Sequence, residues 1–235
     1  MASMSKDTGR QRRLDPDKIA ESALAIADAE GMSAVTLRRL AQHHDVTPMA
    51  LYRHFRDKDE LLDAVAERLL AAVVLPEPSD APWHEQIRDL LAAILAALSP
   101  HPNAAGLTLH RIFASEPGLT LAERTFALLA EAGFSADQTA EIGSQMISSL
   151  IAIVAPDPAT TENSDPEARD EQFRAKRAAL AALSPRRYPH VVAAADTLVH
   201  CAAGQRDQVL AVHLIVAGIR AVRPADFPAA TTAGV

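Results

Sequence analysis

Residues 34–58 read AVTLRRLAQHHDVTPMALYRHFRDK, and this segment constrains the fold more than any other part of the chain. Leu37 and Leu40 stand three positions apart, the spacing of one apolar face on a short helix. Thr47 and Pro48 then predict the start of a second helix, because a hydroxyl caps well and a proline fits the first helical position. This second helix is predicted to last only seven or eight residues. Such a length does not hold a helix alone in water, so neighbouring helices must support it.

Two architectures fit this pair of short helices. One is a helix-turn-helix, whose second helix enters a DNA groove, and the other is an αα-hairpin inside an ordinary helical protein. The local charge favours the first, because residues 34–58 carry five Arg or Lys against two acids. The whole chain has a formal charge of −7, yet residues 1–60 hold ten basic and ten acidic side chains. The sequence therefore predicts a small DNA-reading head attached to an acidic body.

Helix signals continue along the whole chain, and no alternating strand pattern is present. Asp15-Pro16 predicts the start of a first helix and Gly31 its end, while residues 57–60, DKDE, form a capping box that opens a long helix. Three prolines within residues 75–82 exclude a helix interior there. We predict an all-α protein with a flexible basic arm at 1–13, a three-helix helix-turn-helix domain at 14–58, a linking helix at 59–75 and a ligand-binding and dimerisation domain at 76–235.

The body is predicted to be helical as well. A stripe of apolar residues begins at Trp83 and ends at Ser99-Pro100, and residues 120–123, TLAE, and 135–138, SADQ, are predicted capping boxes. The predicted helices after the first stripe run over residues 120–131, 135–153, 165–183, 188–200 and 207–222.

Three motifs resemble the TetR (tetracycline repressor) family of bacterial transcription factors. They are residues 29–31, AEG, residues 36–41, TLRRLA, and residues 51–62, LYRHFRDKDELL, of which the last is highly specific. The motifs cover about residues 14–70, and a weaker similarity follows at residues 183–190, LSPRRYPH. The sequence departs from the family pattern at His44, usually apolar, and at Asp45, usually the turn glycine. Aspartate tolerates the left-handed conformation better than most residues, so the turn is still expected.

The resemblance implies a transcriptional repressor that binds a pseudo-palindromic operator in double-stranded DNA. Together with the exposure expected on these helices, it divides the contacts into two groups. The residues expected at phosphates are Thr36, Tyr52, His54 and Lys58, and those expected at base edges are Arg38, Thr47, Met49 and Ala50.

Two body helices, at residues 142–153 and 209–219, carry more apolar residues than one core-facing stripe needs. A helix that is apolar on two faces packs on two sides, either within one core or against a second subunit. The resemblance implies the second arrangement, a homodimer.

The same body is expected to hold a small, largely apolar effector that releases the protein from DNA. The polar candidates for a few fixed hydrogen bonds in such a pocket are His84, Asn103, His110, Gln145, Ser149 and His200. Each of them is equally compatible with an ordinary core or surface position. A regulator that works without a ligand, or an activator, is the alternative within the DNA-binding class.

Enzyme, metal and membrane functions find no support in the sequence. There is no Cys-x-x-Cys, no His pair at i, i+4 within one helix, no P-loop, no dinucleotide fingerprint and no nucleophile elbow. We therefore expect no catalytic residue, cofactor or metal, with a small α-helical enzyme as the alternative from another class. The single Cys201, the polar start of the chain and the lack of a run of about 20 apolar residues predict a cytoplasmic protein without membrane contact.

Overall fold

The computed structural model describes residues 14–155, 166–202 and 208–222. Within these ranges the chain is helical and contains no strand, which confirms the predicted all-α class. The first four helices are α1 (Pro16–Glu30), α2 (Leu37–His43), α3 (Pro48–Leu51) and α4 (Lys58–Ala71), with a 3₁₀ turn at Met32–Ala34. The basic arm predicted at residues 1–13 lies outside the described residues.

The remaining described helices follow the proline-rich segment, which is not helical, as expected. They are α5 (Trp83–Leu98), α6 (Pro102–Ala105), α7 (Leu107–Arg111), α8 (Glu116–Glu131), α9 (Ala136–Val154), α10 (Pro166–Ala181), α11 (Pro189–Ala193), α12 (Ala195–Ala202) and α13 (Gln208–Ala221), with a 3₁₀ turn at Ile112–Ala114. The single helix predicted at residues 188–200 is thus divided into α11 and α12, which meet at Ala194.

Local caps determine where the head helices begin and end. The Asp15 carboxylate accepts a backbone N–H of the first turn of α1, and Gly31 ends that helix with φ 83°. The Asp57 carboxylate accepts the Glu60 N–H (2.9 Å), as predicted for α4. The Glu60 carboxylate, however, accepts the N–H of Arg56 (2.7 Å) rather than that of Asp57, so the return half of the predicted capping box is displaced by one residue.

The prediction that α8 begins at Thr120 is wrong. Ser115 caps this helix by accepting the Gly118 N–H (3.4 Å), and Pro117 stands in the first turn, so the helix starts at Glu116. Thr120 lies one turn inside the helix, where its hydroxyl donates to the Glu116 carbonyl (2.9 Å). The capping box predicted for α9 is confirmed in both directions between Ser135 and Gln138.

Helix α4 belongs to two packing layers at once. Its apolar residues Leu61, Val65 and Leu69 are buried, and the helix packs on α1 as well as on α7 and α8. The regular helix ends at Ala71, a few residues before the predicted limit of the linking segment. The head therefore shares one continuous apolar core with the body.

The centre of the body is formed by α5, α8 and α9, with α13 lying against α5 and α9. Helices α10, α11 and α12 contact one another. No single helix in the described ranges is long and apolar enough to cross a bilayer, although α5 and residues Pro102–Ala114, which meet at an angle of 118°, pass that test as a bent pair.

We expect Gly118→Ala to lower the free energy of unfolding by about 1–3 kcal/mol, the usual cost of overpacking. A Cβ at Gly118 would overlap the carbonyl oxygen of Ile112, so α8 and the Ile112–Ala114 turn must separate. This loss should outweigh the better helix propensity of alanine. Urea denaturation measures it.

Gly106→Ala is the matched control, because a Cβ there meets no atom within 4 Å and the backbone is in the right-handed region. It should leave the free energy of unfolding unchanged or raise it by up to about 1 kcal/mol. A Gly118→Ala protein as stable as this control would contradict the close approach of α8 to the turn.

Candidate nucleic-acid interface and apolar cavity

The turn between α2 and α3 is closed by a residue in the left-handed conformation. Asp45 has φ 55°, the sole positive φ of a non-glycine residue in the described ranges. Across the turn the Val46 N–H donates to the Ala41 carbonyl (2.9 Å). Glycine usually makes such a reversal, and aspartate is one of the few residues that tolerate it. The conformation predicted for Asp45 is therefore confirmed, and it sets the direction in which α3 leaves α2.

Helix α3 is held from below and exposed above. Leu51 and Phe55 are buried. The Phe55 N–H donates to the Leu51 carbonyl (3.0 Å), so helical hydrogen bonding continues beyond the single regular turn of α3. The regular helix is thus shorter than the seven or eight residues predicted. On the opposite side Met49 is 69% exposed and Tyr52 is 50% exposed. The buried Leu51 and Phe55 thus anchor α3 to the core, while Met49 and Tyr52 on its opposite side face solvent.

Thr47 occupies the capping position of α3, but its hydroxyl makes no capping hydrogen bond, contrary to the prediction. The reason is local, because the Ala50 N–H that a cap would accept already donates to the Thr47 carbonyl (2.9 Å). The Thr47 side chain is exposed. Its hydroxyl is consequently available to a partner outside the protein.

The start of α2 carries two other predicted contact residues. The Thr36 hydroxyl accepts the Arg39 N–H (3.1 Å), which caps the helix and leaves the hydroxyl proton able to donate outward. Arg38 is exposed and forms no ion pair with a described residue. Arg39 differs, because its guanidinium binds Glu30 at the end of α1 (2.7 Å).

The pair between Arg39 and Glu30 connects α2 to α1. The hydrogen bond from Arg39 lowers the pKa of the Glu30 carboxyl, and the same contact raises the pKa of Arg39. A lowered carboxyl pKa means that the stabilisation is present above the ordinary glutamate pKa and is lost as the pH falls through the lowered value. Arg39 therefore serves the packing of the head, whereas Arg38 remains open to solvent.

Lys58 is exposed at the first position of α4, and Ala50 and His54 are half-buried around α3. A cation at a helix N-terminus lies at the positive end of the helix dipole, which costs about 0.3–1 kcal/mol at an exposed site. Among the described residues no acidic side chain forms an ion pair with Lys58, so its exposed ammonium group is accessible to an external anion.

The six polar residues predicted for an effector pocket are not brought together. The Asn103 side chain donates to the Ala27 carbonyl (2.9 Å) at the end of α1, and His110 is exposed. His84 is half-buried beside Trp83 at the start of α5, with 5.5 Å between the ring centroids. Gln145 and Ser149 share a groove between α9 and α13, while the side chain of His200 lies outside the described residues.

An apolar cavity lies instead between α5, α7, α8 and α9. Its volume is about 220 Å³, and among the lining side chains only the hydroxyls of Thr125 and Ser144 are polar. The Thr125 hydroxyl donates to the Leu121 carbonyl (2.8 Å), so it can only accept from a ligand. The other lining residues are Leu91, Ile94, Leu109, Ile112, Phe113, Leu121, Ala122, Phe126, Ala140, Gly143, Met146, Ile147 and Leu150. None of the five predicted residues whose side chains are described, His84, Asn103, His110, Gln145 and Ser149, is among them.

The wall formed by α7 connects this cavity to α4. Leu109 and Ile112 line the cavity, and Arg111 lies between them in the sequence. The Arg111 guanidinium binds Asp63 of α4 (2.7 Å) and approaches Asp59 (3.8 Å). These contacts join the cavity wall to the helix that begins at Lys58.

A second link joins the head to the body at α6. His101 Nδ1 lies 2.7 Å from an oxygen of Asp28, next to the hydrogen bond from Asn103 to the Ala27 carbonyl. Asn103 adds a second hydrogen bond to the Ala27 carbonyl, which also accepts the Gly31 N–H (2.9 Å). The end of α1 is thus held by the body while α4 is held by α7.

An apolar surface remains on α9 and α13. The groove between them has a volume of about 740 Å³ and is lined by Ile142, Met146, Leu214 and Ile219 among others. Leu214 is 64% exposed, and Val209 and Leu210 are also exposed.

In the described part of the chain, no group of three or more His, Cys, Asp or Glu residues is arranged to hold a metal ion.

Comparison with known families gives two matches. Residues 19–65 match the bacterial regulatory proteins of the tetR family, and residues 75–223 match the tetracyclin repressor-like C-terminal domain. The second match alone covers more than half of the 235 residues.

Individual proteins agree with these matches. An HTH-type transcriptional regulator of Saccharopolyspora erythraea is 29% identical over 174 residues, which is 73% of this chain and 74% of that protein. The tetracycline repressor of class A from transposon 1721 of Escherichia coli is 33% identical over 131 residues, covering 53% of this chain and 58% of that repressor. Among solved structures, the TetR family protein ActR of Streptomyces coelicolor in complex with actinorhodin is similar, with 28% identity, a TM-score of 0.72 and coverage of 89% of this chain and 97% of that chain.

Proposed function

The chain belongs to the TetR family of bacterial transcriptional regulators, and we propose that it is a homodimeric repressor that a small, largely apolar molecule releases from a pseudo-palindromic operator. Members of this family are regulators rather than enzymes. The observation that carries the proposal is the position of α4, which bears Lys58 of the reading head and binds the cavity wall through Asp63 and Arg111.

The proposed operator contacts follow the exposure of the head. Tyr52 and Lys58 flank α3 and reach phosphates, and Thr36 donates its hydroxyl proton to another phosphate. His54, half-buried beside α3, is also assigned to a phosphate contact. These contacts position the head without reading sequence.

Base readout is assigned to Arg38, Thr47, Met49 and Ala50. The Thr47 hydroxyl is free of a capping role, and Met49 is the most exposed apolar residue of α3. An arginine binds guanine in the major groove, and small apolar groups contact the methyl group of thymine. Together these residues offer both kinds of base contact, with Arg38 on α2 and the other three at or on α3.

The groove between α9 and α13 supports the proposed homodimer. Exposed leucines on a helix that already packs on the body would leave a large apolar area in water. A second copy placed by a two-fold axis covers the same surface on both subunits and produces a four-helix interface. The two recognition helices then face half-sites about one helical turn apart.

The effector is assigned to the cavity between α5, α7, α8 and α9. No charged side chain lines it, so an ionised ligand would lose its hydration without compensation. The similar S. coelicolor protein ActR was solved in complex with actinorhodin, which supports a small-molecule site in this chain. We assign an uncharged, largely apolar effector to this chain.

Release follows from the two links between head and body. A ligand that moves the wall carrying Leu109 and Ile112 shifts Arg111 and, through Asp63, the helix α4. The end of α1 stays bound to α6 through Asn103, so the shift appears as a change of α4 tilt rather than a translation of the whole head. A ligand that favours one tilt changes the separation of the recognition helices in the dimer.

Replacing Lys58 and Tyr52 tests the operator contacts. Lys58→Ala should weaken binding to all DNA sequences alike and lower the slope of log affinity against log salt by about one. It should also stabilise the protein slightly, because it removes a cation from the N-terminus of α4. Tyr52→Phe should weaken binding without changing the slope. Lys176→Ala, an exposed site on α10, is the control, and unchanged affinity in both head variants would refute the assignment.

Leu214→Asp tests the dimer. A carboxylate in the groove between α9 and α13 should produce monomers at micromolar concentration in sedimentation analysis, because an unpaired charge cannot be buried in the interface. DNase footprints of the wild type should show two symmetric protected half-sites, which the variant loses. Leu119→Asp, on an exposed part of α8, should remain dimeric. A monomeric wild type bound to one half-site would contradict the proposal.

Arg111→Ala tests the transmission of the signal. The neutral fluorophore N-phenyl-1-naphthylamine, used as the ligand probe, should lower operator affinity of the wild type by a factor of about 5–150, the usual range of allosteric coupling. The probe should still bind the Arg111→Ala protein, but the factor by which it lowers operator affinity should fall towards one. Arg174→Ala on α10 should behave as the wild type. Full release in Arg111→Ala would show that α4 receives the signal by another route.

A further inference from the structure

One contact in the wall of the apolar cavity depends on the absence of a side chain. A Cβ built at Gly143 of α9 would lie 2.8 Å from Cε1 of Phe126 on α8, and 3.7 Å from two other atoms of that ring. The ring therefore occupies the space that any other residue at position 143 would fill. Gly143 and Phe126 both line the cavity.

The neighbours of Gly143 make this contact matter for the shape of the cavity. On the cavity side of α9, Ala140 and Ser144 are small, whereas Ile147 and Leu150 one or two turns later are large. Small residues therefore line the cavity around Gly143, and larger residues line it further along α9. The position of the Phe126 ring affects how much of the space beside the small residues is open.

The volume sets the size of ligand that this opening serves. An apolar cavity of about 150 Å³ holds one benzene ring. The cavity here has about 220 Å³, room for a molecule larger than a single ring. An alanine at position 143 would force the Phe126 ring back by about 0.7 Å or more to reach ordinary carbon–carbon contact. Because the Phe126 ring lines the cavity, such a displacement changes the space that a large ligand can use.

We propose that Gly143 is a specificity-determining residue that, by letting the Phe126 ring lie against α9, opens the cavity to uncharged ligands larger than one aromatic ring. This inference rests on the proposed function, in which the cavity is the effector site. It adds which residue selects ligands by size. Gly143 acts through Phe126 and contributes no hydrogen bond of its own.

The experiment compares two neutral probes of different size on the full-length protein. Indole is the small probe, measured by calorimetry, and N-phenyl-1-naphthylamine is the large one, measured by its fluorescence. Gly143→Ala should weaken the large probe about tenfold or more, the cost expected of overpacking, and should leave the affinity for indole within about twofold. Adding Phe126→Leu to Gly143→Ala should restore the large probe, because the shorter side chain vacates the contested space.

Gly106→Ala, between α6 and α7, is the matched control, since a Cβ there meets no atom within 4 Å and Gly106 does not line the cavity. It should bind both probes as the wild type does. Circular dichroism should show the same helical content in all four proteins, which excludes a general loss of folding.

The outcomes separate the inference from the function on which it rests. Wild-type protein that binds both probes, together with Gly143→Ala protein that binds both equally well, overturns the role of Gly143 and leaves the effector site intact. Equal loss of both probes, or no rescue by Phe126→Leu, also overturns it. If neither probe binds the wild type, the effector assignment of the cavity fails and the inference fails with it.

Discussion

The rest of the structure depends on the packing of α4. Its buried face, with Leu61, Val65 and Leu69, contributes to the core of the head and to that of the body. A core is close-packed and responds to small displacements as a solid does. The head therefore has no core separate from that of the helices that surround the cavity. In the proposed function the long helix serves both DNA binding and ligand response, and the polar pair between Arg111 and Asp63 joins it to the cavity wall.

Signals that act within a few residues allowed the head to be predicted from the sequence. Asp15 with Pro16, Gly31 and Asp57 each determine a helix end by a hydrogen bond or a backbone conformation that needs no distant partner. The failures in the same region are also local. At α3 the carbonyl of the capping residue took the N–H that its hydroxyl was expected to accept.

The choice between Ser115 and Thr120 as the cap of α8 shows a different limit. Thr120 is followed three residues later by Glu123, which is the pattern of a capping box. Ser115 lacks such a partner but precedes Glu116 and Pro117, which favour the first turn of a helix. A proline at that position was the available signal. It outweighed the Glu123 that suggested a capping box at Thr120.

The cavity could not be predicted, because its walls come from four helices spread over residues 91–150. Residue type suggested Asn103 and the histidines as ligand contacts, yet Asn103 satisfies the end of α1. Which polar group contacts a ligand depends on packing between helices that are distant in sequence. No local sequence pattern predicts that packing.

The tethered hydroxyl of Thr125 has a consequence for how such a regulator changes over evolutionary time. A cavity with almost no free hydrogen-bond donors distinguishes ligands by their shape. One methylene group in an apolar pocket changes affinity by only about 10- to 200-fold. A site built on paired donors and acceptors would instead reject analogues by several orders of magnitude. Recognition by shape is therefore graded and tolerant of chemical relatives, and single changes in side-chain volume can redirect it without passing through a state that recognises nothing.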